Sequence, residues 1–171
     1  MQSREMTKIA PAQLEIIRRH IAQYPVKLGS LAKELGISQI KVGAMSTGMS
    51  GQICREGGEY IIRINRNESR ERQRFTIAHE ISHFLLHRQI IDSTPDGITD
   101  SVLYRSGAPE RIEYEANRLA ADLVMPLDLV STKLREEFRN VVTDATLEDL
   151  AESFEVSKAA MEIRLSTLVA A

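Results

Sequence analysis

"RFTIAHEISHFLLHR", residues 74–88, sets three histidines and a glutamate into a stretch whose other residues are mostly apolar. Either His79, Glu80, His83 and His87 build a metal site, or they are satisfied core residues of a buried helix. Helical geometry separates their roles. His79 and His83 stand one turn apart with Cβ atoms about 5–6 Å from each other, so both imidazoles reach one ion. Glu80 is rotated about 100° from His79 and about 60° from His83. Its carboxylate can approach a water on that ion without being well placed as a ligand, which is the position of a general base. His87 continues the i, i+4 series but lies about 12 Å along the axis from His79. Phe84-Leu85-Leu86 offers no glycine to turn the chain back, so His87 is not expected as a third ligand. A lone histidine here would read as an ordinary half-buried side chain; the HExxH spacing is what points to a metal.

The whole chain limits what such a site can be. With 171 residues and 43% hydrophobic content, one soluble domain with at most a small appendage is expected. No apolar run approaches the roughly 18 residues of a membrane span. The polar start MQSREMTK has no signal-peptide core, so a cytoplasmic protein is expected. Cys54 is the single cysteine, which excludes an internal disulfide framework and a thiolate zinc cage. Any metal must take histidine and carboxylate ligands. A formal net charge of −2 gives no general attraction to nucleic acid.

Around the histidine segment the sequence predicts an α+β architecture. Residues 11–35 suggest two short helices, broken near Tyr24-Pro25 and stopped by Gly36. After the loop STGMSG, "GQICRE" and "EYIIRIN" read as strands joined across Gly57-Gly58, a two-residue hairpin signal. Asn67 or Ser69 can cap the helix that runs to about Arg88. An irregular stretch from 92 to 108 follows; a loop that long in a compact domain is usually functional. Pro109 suits the first turn of a further helix that Pro126 stops, and 127–171 reads as three short helices. The expected division is a zincin-like domain over 1–130 and a helical cap over 131–171, packed on the same domain.

A catalytic zinc commonly takes three protein ligands and leaves one position for water, so a third ligand must come from elsewhere. The candidate segment is "EYEANRLAADLVMP", residues 113–126. Glu113 shares its helical face with Ala116, Asn117, Ala120, Leu123 and Val124, a face able to pack on the histidine helix. Glu115 shares its face with Arg118, Leu119 and Asp122, which looks like solvent. Glu113 is therefore the expected ligand and Glu115 the alternative. Asn117, one turn on, can accept a hydrogen bond from the free ring nitrogen of a ligating histidine.

"RQRFTIAHEISHFLLH", followed about 30 residues later by "EYEANRLAADLVMP", resembles the ImmA/IrrE family of zinc metallo-endopeptidases, compact zincins of the gluzincin type. The resemblance covers about residues 25–130, and "SGQI", the strand ending Ile64-Asn65 and the Arg-Gln-Arg-Phe-Thr approach to the helix fit it too. It implies metal ligation by His79 and His83, catalysis by Glu80 and, from the Ala-Asn pair that follows it, Glu113 as third ligand. Ser82 stands where the family frequently has glycine. Zn2+ is the implied cofactor: it lowers the pKa of water toward 7 and polarises a carbonyl, while Glu80 moves the proton to the leaving amine. Strand 59–65 offers an edge for an extended substrate. Tyr104 is the candidate donor to the developing oxyanion.

Rival readings fail on charge or on chemistry. "LEDLAESFEVSKAAMEIRLSTL" has a helix-turn-helix cadence, echoed by "LGSLAKELGIS", so a DNA-binding regulator is the main alternative. Over 140–171, however, Lys158 and Arg164 face six acidic residues, a net of −4, whereas phosphate contact demands clustered basic side chains. A purely structural zinc module would leave Glu80 without a role. The basic run 63–74, with five arginines against two glutamates, reads as a solvated face able to guide an acidic partner. With no secretion signal, a narrow target is expected over general degradation. The family resemblance implies a site-specific cut in a helix-turn-helix transcriptional repressor of a mobile element, stress response or toxin–antitoxin-like pair.

Overall fold

The computed structural model describes residues 3–101 and 110–169. Helices α1 (Pro11–His20) and α2 (Leu28–Leu35) precede strand β1 (Ile37–Gly43), and strands β2 (Met49–Glu56) and β3 (Glu59–Asn65) form the expected hairpin. Its turn is made by Gly57 and Gly58, both at positive φ, the backbone a two-residue hairpin turn requires. Then come α3 (Arg70–Leu86), α4 (Arg88–Ser93), strand β4 (Ile98–Ser101), α5 (Glu110–Val124), α6 (Leu127–Phe138), α7 (Asp144–Phe154) and α8 (Lys158–Val169). The architecture is α+β, with a four-stranded mixed sheet in the order β1-β3-β2-β4. No helix among the described residues is long and apolar enough to cross a membrane.

The sheet departs from expectation in two places. Strand β1 pairs parallel with β3, and β4 pairs antiparallel with β2. A small mixed sheet is expected from the sequence, but not these two strands in it. In "ISQIKVG" a register shift between Ile37 and Gln39 breaks the period-two alternation that marks a strand. The four residues of β4 sit within the stretch 92–108 expected to be irregular, which also holds the end of α4. Strand 59–65, read as an exposed edge, is instead central, with β1 on one side and β2 on the other. The edges are β1 and β4. Tyr104 and Pro109 lie outside the described residues.

Helix α3 is the axis of the molecule. Ser69 caps it, its side chain accepting from the backbone N–H of Arg72 at 3.2 Å. From Ala78 to Phe84 every residue is buried, because α3 packs against α5 while also contacting β2 and β3. A helix covered on all sides must satisfy its polar groups internally. Ser82 does so by donating to the carbonyl of Ala78 at 2.7 Å, so a hydroxyl fits where glycine was the family expectation.

The second face of α5 is not solvent. Leu119 and Asp122 are buried, and Asp122 is bonded from α8 and from the N-terminal residues. Buried Arg164 pairs with Asp122 at 2.7 Å and donates to the carbonyl of Met125 at 2.8 Å, while the backbone N–H of Ser3 donates to Asp122. On the other flank Glu155, at the end of α7, pairs with Arg70 and Arg74 of α3. Part of the basic run is thus neutralised by the chain's own acidic tail. Phe154 is fully buried and stacks on Tyr24 at 4.3 Å between ring centroids.

Candidate metal centre

Where α3 and α5 face each other, His79, His83 and Glu113 come together. Glu113 Oε2 is 3.1 Å from His79 Nε2, and Glu113 Oε1 is 3.3 Å from His83 Nε2. The two Nε2 atoms are 3.0 Å apart, with the rings nearly perpendicular. The i, i+4 spacing places the histidines, and the helical phase of α5 turns Glu113 rather than Glu115 toward them. Both histidines are buried, and Glu113 is partly so.

The protons on these atoms can be assigned from their outer partners. His79 Nδ1 is 3.0 Å from Asn117 Oδ1; an amide oxygen only accepts, so Nδ1 carries the hydrogen and Nε2 presents a lone pair. Asn117 therefore occupies the supporting position expected for it. His83 Nδ1 faces His87 Nδ1 at 2.9 Å, and His87 Nε2 faces Glu115 Oε2 at 3.1 Å. His87 is not in any metal-sized donor group among the described residues; it lies behind His83. Burial pushes the His83 pKa down to about 4, despite the opposing pull of Glu113. Burial also lowers that of His87. Both rings are neutral near pH 7. Burial raises the Glu113 pKa, but the imidazoles of His79 and His83 beside it lower it more, holding the carboxyl far below its ordinary value.

In the tautomers that carry the hydrogen on Nδ1, both Nε2 atoms present lone pairs toward Glu113 with no proton between them. Glu113 Oε1 has no hydrogen-bond partner among the described residues despite its buried position beside His83. Such a cluster repels itself unless a cation sits among the atoms. The donor set, two imidazoles and a carboxylate, suits zinc, and two ligands of a tetrahedral zinc stand about 3.3 Å apart. The separations of 3.0 to 3.3 Å given above match that spacing.

Glu80 stands beside this cluster and is fully buried. Neither of its carboxylate oxygens has a hydrogen-bond partner among the described residues. Burial first, then the charges of Asp100 and Glu113, raise its pKa well above the ordinary carboxylate value. The space around it depends on Gly51 of β2: a Cβ there would come within 3.1 Å of Glu80 Oε1 and 2.5 Å of Thr76 Cγ2. A raised, unpartnered carboxyl one residue from a ligand-type histidine is poised to exchange a proton rather than to hold a salt bridge.

Asp100 was missed in the sequence. A carboxylate oxygen of this β4 residue lies within metal-ligand range of His79 and Glu80. Strand β4 pairs Asp100 with Gly51, which brings the edge of the sheet to the site. No local pattern in "GITDS" announces it. Of the other expected site residues, His79, Glu80, His83 and Glu113 are brought together, and Tyr104 is outside the described region.

Comparison with known proteins agrees with this fold. The fold resembles that of a Mycobacterium tuberculosis transcriptional regulator, with a TM-score of 0.56 and 16% sequence identity, over 94% of this chain and 48% of that one. The chain thus spans about half the length of that protein. No protein of curated function matches the sequence. The model of the peptidase family described as the IrrE N-terminal-like domain matches residues 32–166, across the expected boundary near 130 and into α8. The chain belongs to the IrrE N-terminal-like peptidase family.

Proposed function

We propose that the protein is a zinc-dependent endopeptidase with His79, His83 and Glu113 as metal ligands and Glu80 as general base. The observation that carries this reading is the convergence of two imidazole nitrogens and a carboxylate beside a buried carboxyl with no partner among the described residues. When bound, the zinc supplies a Lewis acid for the scissile carbonyl and acidifies water. Glu80 takes the water proton on a carboxylate oxygen and delivers it to the leaving amine. Its burial strengthens that exchange, because the protonated form it passes through is the one the apolar surroundings favour.

Substrate recognition falls to β4. Its outer edge is unpaired among the described residues, and Asp100 places it beside Glu80. An extended peptide adding to that edge gains main-chain hydrogen bonds and runs past the general base. This replaces strand 59–65, which is central. The C-terminal segment 131–171 is read as a cap on the same domain, tied to α3 and α5 through Glu155 and Arg164.

The substrate we propose is a helix-turn-helix transcriptional repressor, cut once between its DNA-binding and dimerising parts. The acidic tail, net −4 over 140–171, supports docking to a basic protein surface rather than to DNA. Co-expression of the chain with the repressor encoded beside its gene tests this. Fragments with wild type and none with Glu80→Gln support the reading. An intact repressor under activating conditions, with tight binding of the chain itself to operator DNA, would favour a DNA-binding regulator.

A further inference from the structure

We infer that His87 and Glu115 are positioning residues that fix the tautomer and orientation of His83; the inference rests on the metal-site reading for its purpose, but not for its geometry. Glu115 is gripped at one oxygen by Lys8 at 2.9 Å and Arg111 at 3.0 Å. The other oxygen is left to His87 Nε2, 3.1 Å away. An ionised carboxylate only accepts, so His87 Nε2 carries a hydrogen. With its single ring hydrogen on Nε2, His87 turns Nδ1 as an acceptor to His83 Nδ1, 2.9 Å away. His83 must donate there, which leaves its Nε2 free toward Glu113 and His79.

The order of protons is therefore dictated from outside inward. Lys8 and Arg111 occupy one oxygen of Glu115 and leave the other to His87, Glu115 sets His87, and His87 sets His83. Lys8 gives the chain a second device: it lies outside residues 32–166, so the segment that matches the family is anchored here by an N-terminal residue beyond it. The arrangement also explains why a third histidine follows at i, i+4 without being a ligand. Outer-shell partners of ligating histidines orient the ring and raise its basicity, and their loss typically weakens metal binding by about 10–100-fold.

Two readouts test the relay. In the zinc-free protein near neutral pH, imidazole 15N spectra should show His83 with hydrogen on Nδ1. In His87→Phe that form should give way to a mixture, and zinc affinity measured by chelator competition should fall about 10–100-fold. Glu115→Ala should move both readouts in the same direction, whereas Glu115→Gln, which keeps an acceptor oxygen, should restore most of the loss. If His87→Phe does not fold, Glu115→Ala and its glutamine rescue decide the matter. Unchanged His83 nitrogen signals together with wild-type zinc affinity in Glu115→Ala or His87→Phe would overturn the relay. A wild type that binds no zinc, yet loses the His83 tautomer in these variants, would keep the relay and discard the metal reading.

Discussion

The two histidines of the candidate centre look equivalent in the sequence but are supported differently. His79 rests on one neutral partner, the side-chain oxygen of Asn117. His83 rests on a chain of four residues that ends in two cations on a different helix and in the N-terminal segment. His83 is also the more deeply buried of the two. A buried imidazole cannot recruit water to choose its tautomer, so the protein supplies the choice through fixed groups. His79, nearer Asp100 and Glu80, stands on the side where the proposed chemistry happens.

The strongest way to break this comparison is to remove the residue both arms serve. Glu113→Ala should reduce bound zinc from about one per chain to a small fraction of that, because two imidazoles alone leave the ion under-coordinated. Glu115→Ala should still take up zinc, but more weakly. Metal analysis of the pair, with affinity by competition, checks both; full loss in Glu115→Ala with retention in Glu113→Ala would reverse the assignment made from helical phase.

A second cut falls on the short arm. Asn117→Ala should weaken zinc binding about 10-fold, toward the low end of the range for outer-shell losses, since a single neutral hydrogen bond is removed. If it costs more than His87→Phe, the two arms are ranked wrongly.

Gly51→Ala probes the space rather than the ligands. The new Cβ would meet Thr76 Cγ2, Glu80 Oε1 and the Arg63 carbonyl, and such overpacking costs about 1–3 kcal/mol. Denaturant unfolding should show that loss in the zinc-free protein, with bound zinc little affected because no ligand is touched.

The smallest expected effect is a pH dependence. The folded-state pKa of His83 is lowered from its ordinary 6.5 to about 4. Between these values the unfolded chain binds the proton and the folded chain does not, so the contribution is fully present above about 6.5 and lost as pH falls toward 4. Thermal unfolding of the zinc-free protein should therefore shift downward across that window. In His83→Phe this share of the slope should vanish, and the acid loss due to Glu113 below its ordinary carboxylate pKa should shrink to the part that His79 supplies.

What the sequence made legible was local. The Gly57-Gly58 hairpin and the helical phase of Glu113 depend on neighbours within a few residues and are found as read, and the helix cap, open between Asn67 and Ser69, falls to Ser69. The failures depend on distant contacts. Strand β1 was hidden by its register shift, and without it β3 looked like an edge. Asp122 is buried and bonded by Ser3 and Arg164, far away along the chain. The place of His87 behind His83 needs Glu115 from another helix. Asp100 reaches the site only because β4 pairs with β2.

The central claim is that Glu80 moves a proton while His79, His83 and Glu113 hold the metal. Glu80→Gln separates the two, since it removes a base without removing a ligand. Measured side by side with wild type on the repressor encoded beside the gene, the variant should retain its fold and about one zinc per chain but produce no cleavage fragments. Cleavage by Glu80→Gln at the wild-type rate would contradict the account.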